Sequence, residues 1–144
     1  EQDVGQGGRE DLNYLNVKNN NFKKGKDALV QARKFLKKKK IKKANKRLND
    51  AIEYLVLANK EFPNNTKILN YLGDAYNEIG DLIMSEIYYQ EGLILDPKNN
   101  SINQSLGVLY FKTSRLGLAK ERLSILSSCN CQEYLNLKNV IKNN

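Results

Sequence analysis

The chain of 144 residues contains no histidine and no tryptophan, and only two prolines and two cysteines. Without histidine, the commonest general base and the commonest zinc ligand are both missing. Two cysteines cannot build a disulfide framework. No apolar run approaches the ~18 residues that a membrane-spanning helix needs. No glycine-rich phosphate loop is readable either, because Gly5, Gly7 and Gly8 precede no strand–helix unit. No pairing of a nucleophile with a base is readable. Asp74 with Glu78, and Glu78 with Asp81, are paired carboxylates one helical turn apart, but they read as a charged helix surface rather than acid–base machinery. The sequence gives no positive case for an enzyme, a cofactor or a metal.

What is present is a hydrophobic content of 40%, enough for one packed domain, and a net charge of +8. That charge is unevenly spread. Residues 1–22 sum to −2, residues 23–47 to +12, residues 48–97 to −7 and residues 98–144 to +5. The basic excess therefore belongs mainly to one short stretch, beside an acidic middle.

Internal repetition organises the rest. Leu72, Gly73, Tyr76, Ser85, Tyr89 and Pro97 recur 34 residues later as Leu106, Gly107, Tyr110, Ala119, Leu123 and Cys131, with Asn103 standing where Leu69 stood. Subtracting 34 finds Ala51, Leu55 and Pro63. A 34-residue period with large and small residues alternating at these spacings marks a helix–turn–helix unit. Leu69, Leu72, Tyr76 and Ile79 share one helical face. Gly80 suits the left-handed position after a helix end, and Asp96-Pro97 ends the next helix. Asn65 or Thr66, and Asn99 or Asn100, are expected to cap the helices that follow. Two registers seven residues apart fit residues 24–63, so the second helix there is expected to be two turns too long, from about Ile41 to Glu61, with Asn21 as N-cap of its partner. Tyr134, Leu137, Val140 and Ile141 give residues 132–142 the stripe of a terminal helix.

The Leu-Gly-x-x-Tyr at 72–76 and again at 106–110, with Ser85 and Ala119, Tyr89 and Leu123, and Pro63 and Pro97, resembles the tetratricopeptide repeat. The resemblance covers residues 64–131 well and 24–63 less well. It implies an all-α, right-handed superhelix of antiparallel helix pairs. The expected units are an elongated hairpin at 21–63, repeats at 64–97 and 98–131, and a capping helix at 132–142, preceded by a leader at 1–20. It also implies a concave groove, lined by the first helix of each unit, that binds a partner peptide or protein. Carried onto this sequence, the lining is Arg33, Leu36 and Lys37, then Lys67, Asn70, Asp74, Asn77 and Glu78, then Ser101, Gln104, Val108, Phe111 and Lys112. Some members of the family clamp a chaperone's C-terminal carboxylate with Lys and Asn on the first unit and Lys and Arg on the third. The corresponding places here hold Leu29, Arg33, Ser101 and Ser105, which argues against that ligand.

The basic run Lys37, Lys38, Lys39, Lys40, Lys42 and Lys43 admits two readings. It is a solvated turn inside the first hairpin, or hairpin 33–47 binds nucleic acid or an anionic membrane surface. Only Phe35 is near, so the aromatic interleaving of single-strand binders is missing. Cys129 and Cys131 read as two thiols at a helix end, one buried and one partly exposed, since a bridge between residues two apart is strained in most geometries. An intermolecular disulfide is the alternative in an oxidising compartment. The polar, Gly-containing leader begins at Glu1 and suggests a linker or the tether of a bacterial lipoprotein. The expectation is an extracytoplasmic scaffold, an accessory subunit of an envelope-associated complex, with a cytoplasmic scaffold as the alternative.

Overall fold

The computed structural model describes residues 20–143, so the expected leader lies outside the described residues apart from Asn20. Seven helices follow one another: α1 (Asn21–Lys37), α2 (Ile41–Glu61), α3 (Thr66–Ile79), α4 (Leu82–Leu95), α5 (Asn100–Lys112), α6 (Leu116–Leu126) and α7 (Gln132–Lys142). No strand occurs among the described residues. Helices α1 and α2, α3 and α4, and α5 and α6 pair as hairpins, which stack through α2 against α3 and α4 against α5, and α7 closes the stack on α5 and α6.

The period-34 residues are the packing residues. Leu72 and Gly73 are buried on α3, Ser85, Tyr89 and Gly92 on α4, and Leu106 and Gly107 on α5. Gly73 leaves the space that the Tyr89 ring fills: a Cβ there would collide with it. Ser85 is fully buried and donates its hydroxyl to the Gly73 carbonyl at 2.7 Å, so the small slot is also a satisfied polar one. Gly107 similarly admits Leu137 of α7, and Gly25 of α1 admits Leu55 of α2. Asn103 breaks the apolar stripe yet is fully buried. Its amide donates to the carbonyls of Pro97 and Asn99, and its oxygen accepts from Arg122.

The helix ends follow local chemistry. Asn65 accepts from the backbone N–H groups of Lys67 and Ile68, Asp81 from Met84 and Asn99 from Ile102. Gly80, at φ 94°, takes the left-handed position after α3. The first hairpin is different. Asn21, expected as the N-cap of α1, is its first helical residue. Asn20 takes the capping position at φ 61° without a side-chain cap, and its carbonyl accepts from Lys24. Helix α2 runs 21 residues without a break, about 30 Å, against 14 for α3. Its face of Ala44, Leu48, Ala51, Leu55 and Ala58 is buried along the whole length against Phe22, Ala28, Leu29 and Ala32.

The cysteines depart from expectation. Cys129 and Cys131 form an intrachain disulfide and not two thiols. The two Cα atoms lie 5.2 Å apart, within the range a disulfide spans, and Asn130 between them has a left-handed φ of 51°.

Candidate functional site

The first helices α1, α3 and α5 together present a polar face. Two concavities lie along it. One of about 250 Å3 is lined by Arg33, Asp74, Asn77, Glu78, Tyr89, Gln104, Ser105 and Val108. Another of about 540 Å3 is lined by Arg33, Thr66, Lys67, Asn70, Tyr71, Asp74, Asn99 and Ser101. Arg33 and Asp74 belong to both, so the two form one groove that meets at this pair.

An ion-pair cluster forms the centre. The Arg33 Nε donates to Glu78 Oε1 at 2.7 Å, and its Nη2 lies 3.8 Å from Asp74 Oδ2. This ties α1 to α3 across 45 residues of sequence. Burial opposes the Arg33 charge, but the Glu78 hydrogen bond and the charges of Glu78 and Asp74 outweigh it and raise the guanidinium pKa above its ordinary value. Burial pushes the Asp74 carboxyl above the usual carboxylate range, against the opposing pull of the Tyr89 hydroxyl and of Arg33. Tyr89 donates its hydroxyl to Asp74, and burial with this anionic neighbour pushes the phenol above its ordinary value. The same Tyr89 ring fills the space beside Gly73, so the residue that locks the α3–α4 hairpin also forms part of the groove floor.

Two acceptors in this groove are buried and have no hydrogen-bond partner: Asn70 Oδ1 and Glu78 Oε2. The Asn70 amide itself donates to Ser101 Oγ at 3.1 Å, linking α3 to α5. The groove lining is predominantly polar, with the side-chain amides of Asn70, Asn77 and Gln104 able both to donate and to accept.

Of the residues proposed from sequence, the structure brings together Arg33, Lys67, Asn70, Asp74, Asn77, Glu78, Ser101, Gln104 and Val108. It places others apart. Lys37 is exposed at the last turn of α1, and Leu36 is half-buried beside it. Phe111 packs half-buried against the core of the last units, and Lys112 is exposed at the end of α5. Sequence reasoning does not assign Tyr71 or Tyr89 to the lining: Tyr89 reads as a stripe residue of the packing pattern, and Tyr71 is given no role. At the positions where a carboxylate clamp would stand, Leu29 is fully buried and Arg33 is already paired, so neither is free to hold a terminal carboxylate.

The basic run occupies the opposite situation. Lys37 ends α1, Lys38, Lys39 and Lys40 form the turn, and Lys42 and Lys43 open α2, all of them exposed. Among the described residues no acidic group pairs with any of the six, and Lys43 rests over the half-buried Phe35 ring at 5.9 Å. No group of three or more metal-ligating side chains occurs among the described residues, and no described helix is long and apolar enough to cross a membrane.

No protein-family model matches the chain, and no curated protein matches it. Solved structures do. The first tetratricopeptide-repeat domain of Spaghetti (RPAP3), bound to the HSP90 peptide SRMEEVD, superposes with a TM-score of 0.60 at 18% identity, over 85% of this chain and 94% of that one. The fold of this chain is thus that of a tetratricopeptide-repeat helical solenoid.

Proposed function

We propose that this helical-repeat chain is a protein-interaction scaffold that holds an extended peptide of a partner protein in the groove of α1, α3 and α5. The observation that carries this reading is the continuous polar concavity along α1, α3 and α5, where the amides of Asn70, Asn77 and Gln104 stand beside the Arg33–Asp74–Glu78 cluster. Amide side chains both donate and accept, and an extended peptide presents main-chain donors and acceptors at regular spacing. The similar solved domain holds a peptide, which agrees with this use of the fold. The ligand is expected to differ: SRMEEVD ends in a carboxylate, and Leu29, Arg33, Ser101 and Ser105 offer no free clamp for one. Selection from a displayed random-peptide library, followed by titration calorimetry, tests the reading. Selected peptides should bind wild-type chain, lose at least tenfold in affinity with Asn70→Ala and Asn77→Ala combined, and outcompete SRMEEVD (tenfold corresponds to about 1.4 kcal/mol). Peptides indifferent to these substitutions would place the binding face elsewhere.

We further propose an extracytoplasmic setting, as an accessory subunit of a bacterial envelope complex. Its support is the Cys129–Cys131 disulfide, because such bonds persist in oxidising compartments. Thiol alkylation of acid-quenched cells should find both cysteines blocked before reduction; free thiols there would remove the support.

A further inference from the structure

The tip of the first hairpin combines three features that the groove does not use. From Lys34 to Arg47 the chain carries nine cations and no acid. Among the described residues only Arg47 of these has an ionic partner, Asp50 at 2.8 Å, and it also donates to Gln31. The apex between the helices is built from exposed lysines, and Ile41, 54% exposed, stands among them between Lys40 and Lys42. Finally, α2 is seven residues longer than α3, about two turns, and α1 continues one turn beyond the Arg33–Glu78 pair, so the tip is carried past the level of the groove.

We propose that this tip docks on an anionic lipid surface, with the lysines against the headgroups and Ile41 entering the interface. The chemistry favours lipid over nucleic acid. Lysine ammonium groups on long flexible stems meet a diffuse layer of negative charge as point charges, without fixed geometry. Neither hairpin arginine is free to fork onto a phosphate or a base edge, since Arg33 is held by Glu78 and Arg47 by Asp50. No exposed aromatic ring is available for stacking: Phe35 is half-buried under Lys43. An exposed isoleucine inside a lysine ring has no role in reading a phosphate backbone, whereas at a bilayer it adds apolar burial to the electrostatic attraction. This inference is independent of the peptide groove, whose residues lie on α1, α3 and α5 below the tip.

Co-sedimentation of the chain with phosphatidylcholine vesicles, with and without phosphatidylglycerol, tests the proposal. The chain should sediment with the anionic vesicles, not with pure phosphatidylcholine, and release as salt is raised. Each of Lys38→Ala, Lys39→Ala and Lys40→Ala should weaken vesicle binding about fivefold at low salt. Ile41→Ser should weaken it at unchanged net charge, and circular dichroism should show every variant folded, because all four side chains are exposed. Failure of the wild type to sediment with anionic vesicles would overturn the proposal. So would a parallel titration in which mixed-sequence duplex DNA binds more tightly than the vesicles and Ile41→Ser sediments like wild type. Peptide binding in the groove should be untouched by all four substitutions, which separates the two surfaces.

Discussion

The first hairpin and the middle hairpin solve the same packing problem by different means. Helices α3 and α4 are short, 14 residues each, and their starts are fixed by Asn65 and Asp81 side chains. Helices α1 and α2 are longer and have no side-chain cap at either start. Length replaces capping in the first hairpin, because more turns of Ala and Leu are buried against each other. The middle hairpin instead uses a close approach, Gly73 beneath Tyr89, and extends that same tyrosine into a polar groove. The difference teaches that the two hairpins expose different surfaces: the uncapped one ends in an exposed cationic tip, and the capped one supplies most of the polar groove lining.

The largest effect should come from emptying the first hairpin. Leu55 occupies the slot that Tyr89 fills one unit later and Leu123 two units later. Leu55 is fully buried over Gly25, whereas Leu123 is half-buried. Leu55→Ala should cost about 3–4 kcal/mol and Leu123→Ala clearly less, measured by urea denaturation. Equal costs would mean that the first hairpin is not the more deeply packed of the two.

A smaller difference separates the glycines. A Cβ at Gly25 would come to 2.7 Å from Leu55 Cγ, and one at Gly73 would strike the Tyr89 ring. Leucine can change rotamer, but the Tyr89 ring is held at its far end by Asp74. Gly73→Ala should therefore cost about 2–3 kcal/mol and Gly25→Ala about 1–2, each reduced a little by the better helix propensity of alanine. The reverse order in chemical denaturation would show that Tyr89 is the more adaptable side chain.

These contrasts were unevenly readable in the sequence. The 34-residue period and the seven-residue ambiguity in residues 24–63 carried both the hairpins and the length of α2, because helical periodicity records which face is buried. Pairings across the stack leave no such trace. Nothing local to Arg33 states that it meets Glu78, 45 residues on, so a residue read as a groove cation is paired within a cluster that holds two carboxylates. Asn103 in an apolar slot looks like a weak repeat until Pro97, Asn99 and Arg122 are seen around it. The disulfide depends on the relative direction of the two cysteine side chains across Asn130, which residue spacing does not encode.

The ion-pair cluster should respond to pH in one direction. Burial raises the Asp74 pKa in the folded chain above the ordinary carboxylate value. The folded state therefore binds this proton more readily than the unfolded chain does. The charged carboxylate is a liability that is fully present above the folded value and relieved as pH falls towards the ordinary one. Asp74→Asn keeps an oxygen for the Tyr89 hydroxyl and leaves Arg33 its bond to Glu78. At neutral pH its melting temperature should match or slightly exceed wild type, and the gap should close on acidification. A variant less stable than wild type at neutral pH would mean that the Arg33–Asp74 contact outweighs the burial cost.

The smallest effect tests whether the missing cap of α2 is a structural necessity. Lys40 stands at the N-cap of α2 with φ −90° and ψ 71°, close to the φ −86° and ψ 81° of Asp81, whose carboxylate caps α4. The backbone at Lys40 is thus already shaped for a capping side chain, and lysine cannot supply an acceptor. Lys40→Asp should let the new carboxylate accept from the Lys43 N–H and oppose the helix dipole, for a gain of about 0.5–1 kcal/mol. The same change removes one cation from the tip and adds an anion beside Ile41, so vesicle binding should fall as stability rises. Opposite movement of the two measurements would show that the first hairpin forgoes a cap in favour of charge. If stability does not rise, the lysine at this position reflects geometry rather than a surface function, and the division between the hairpins narrows to length alone.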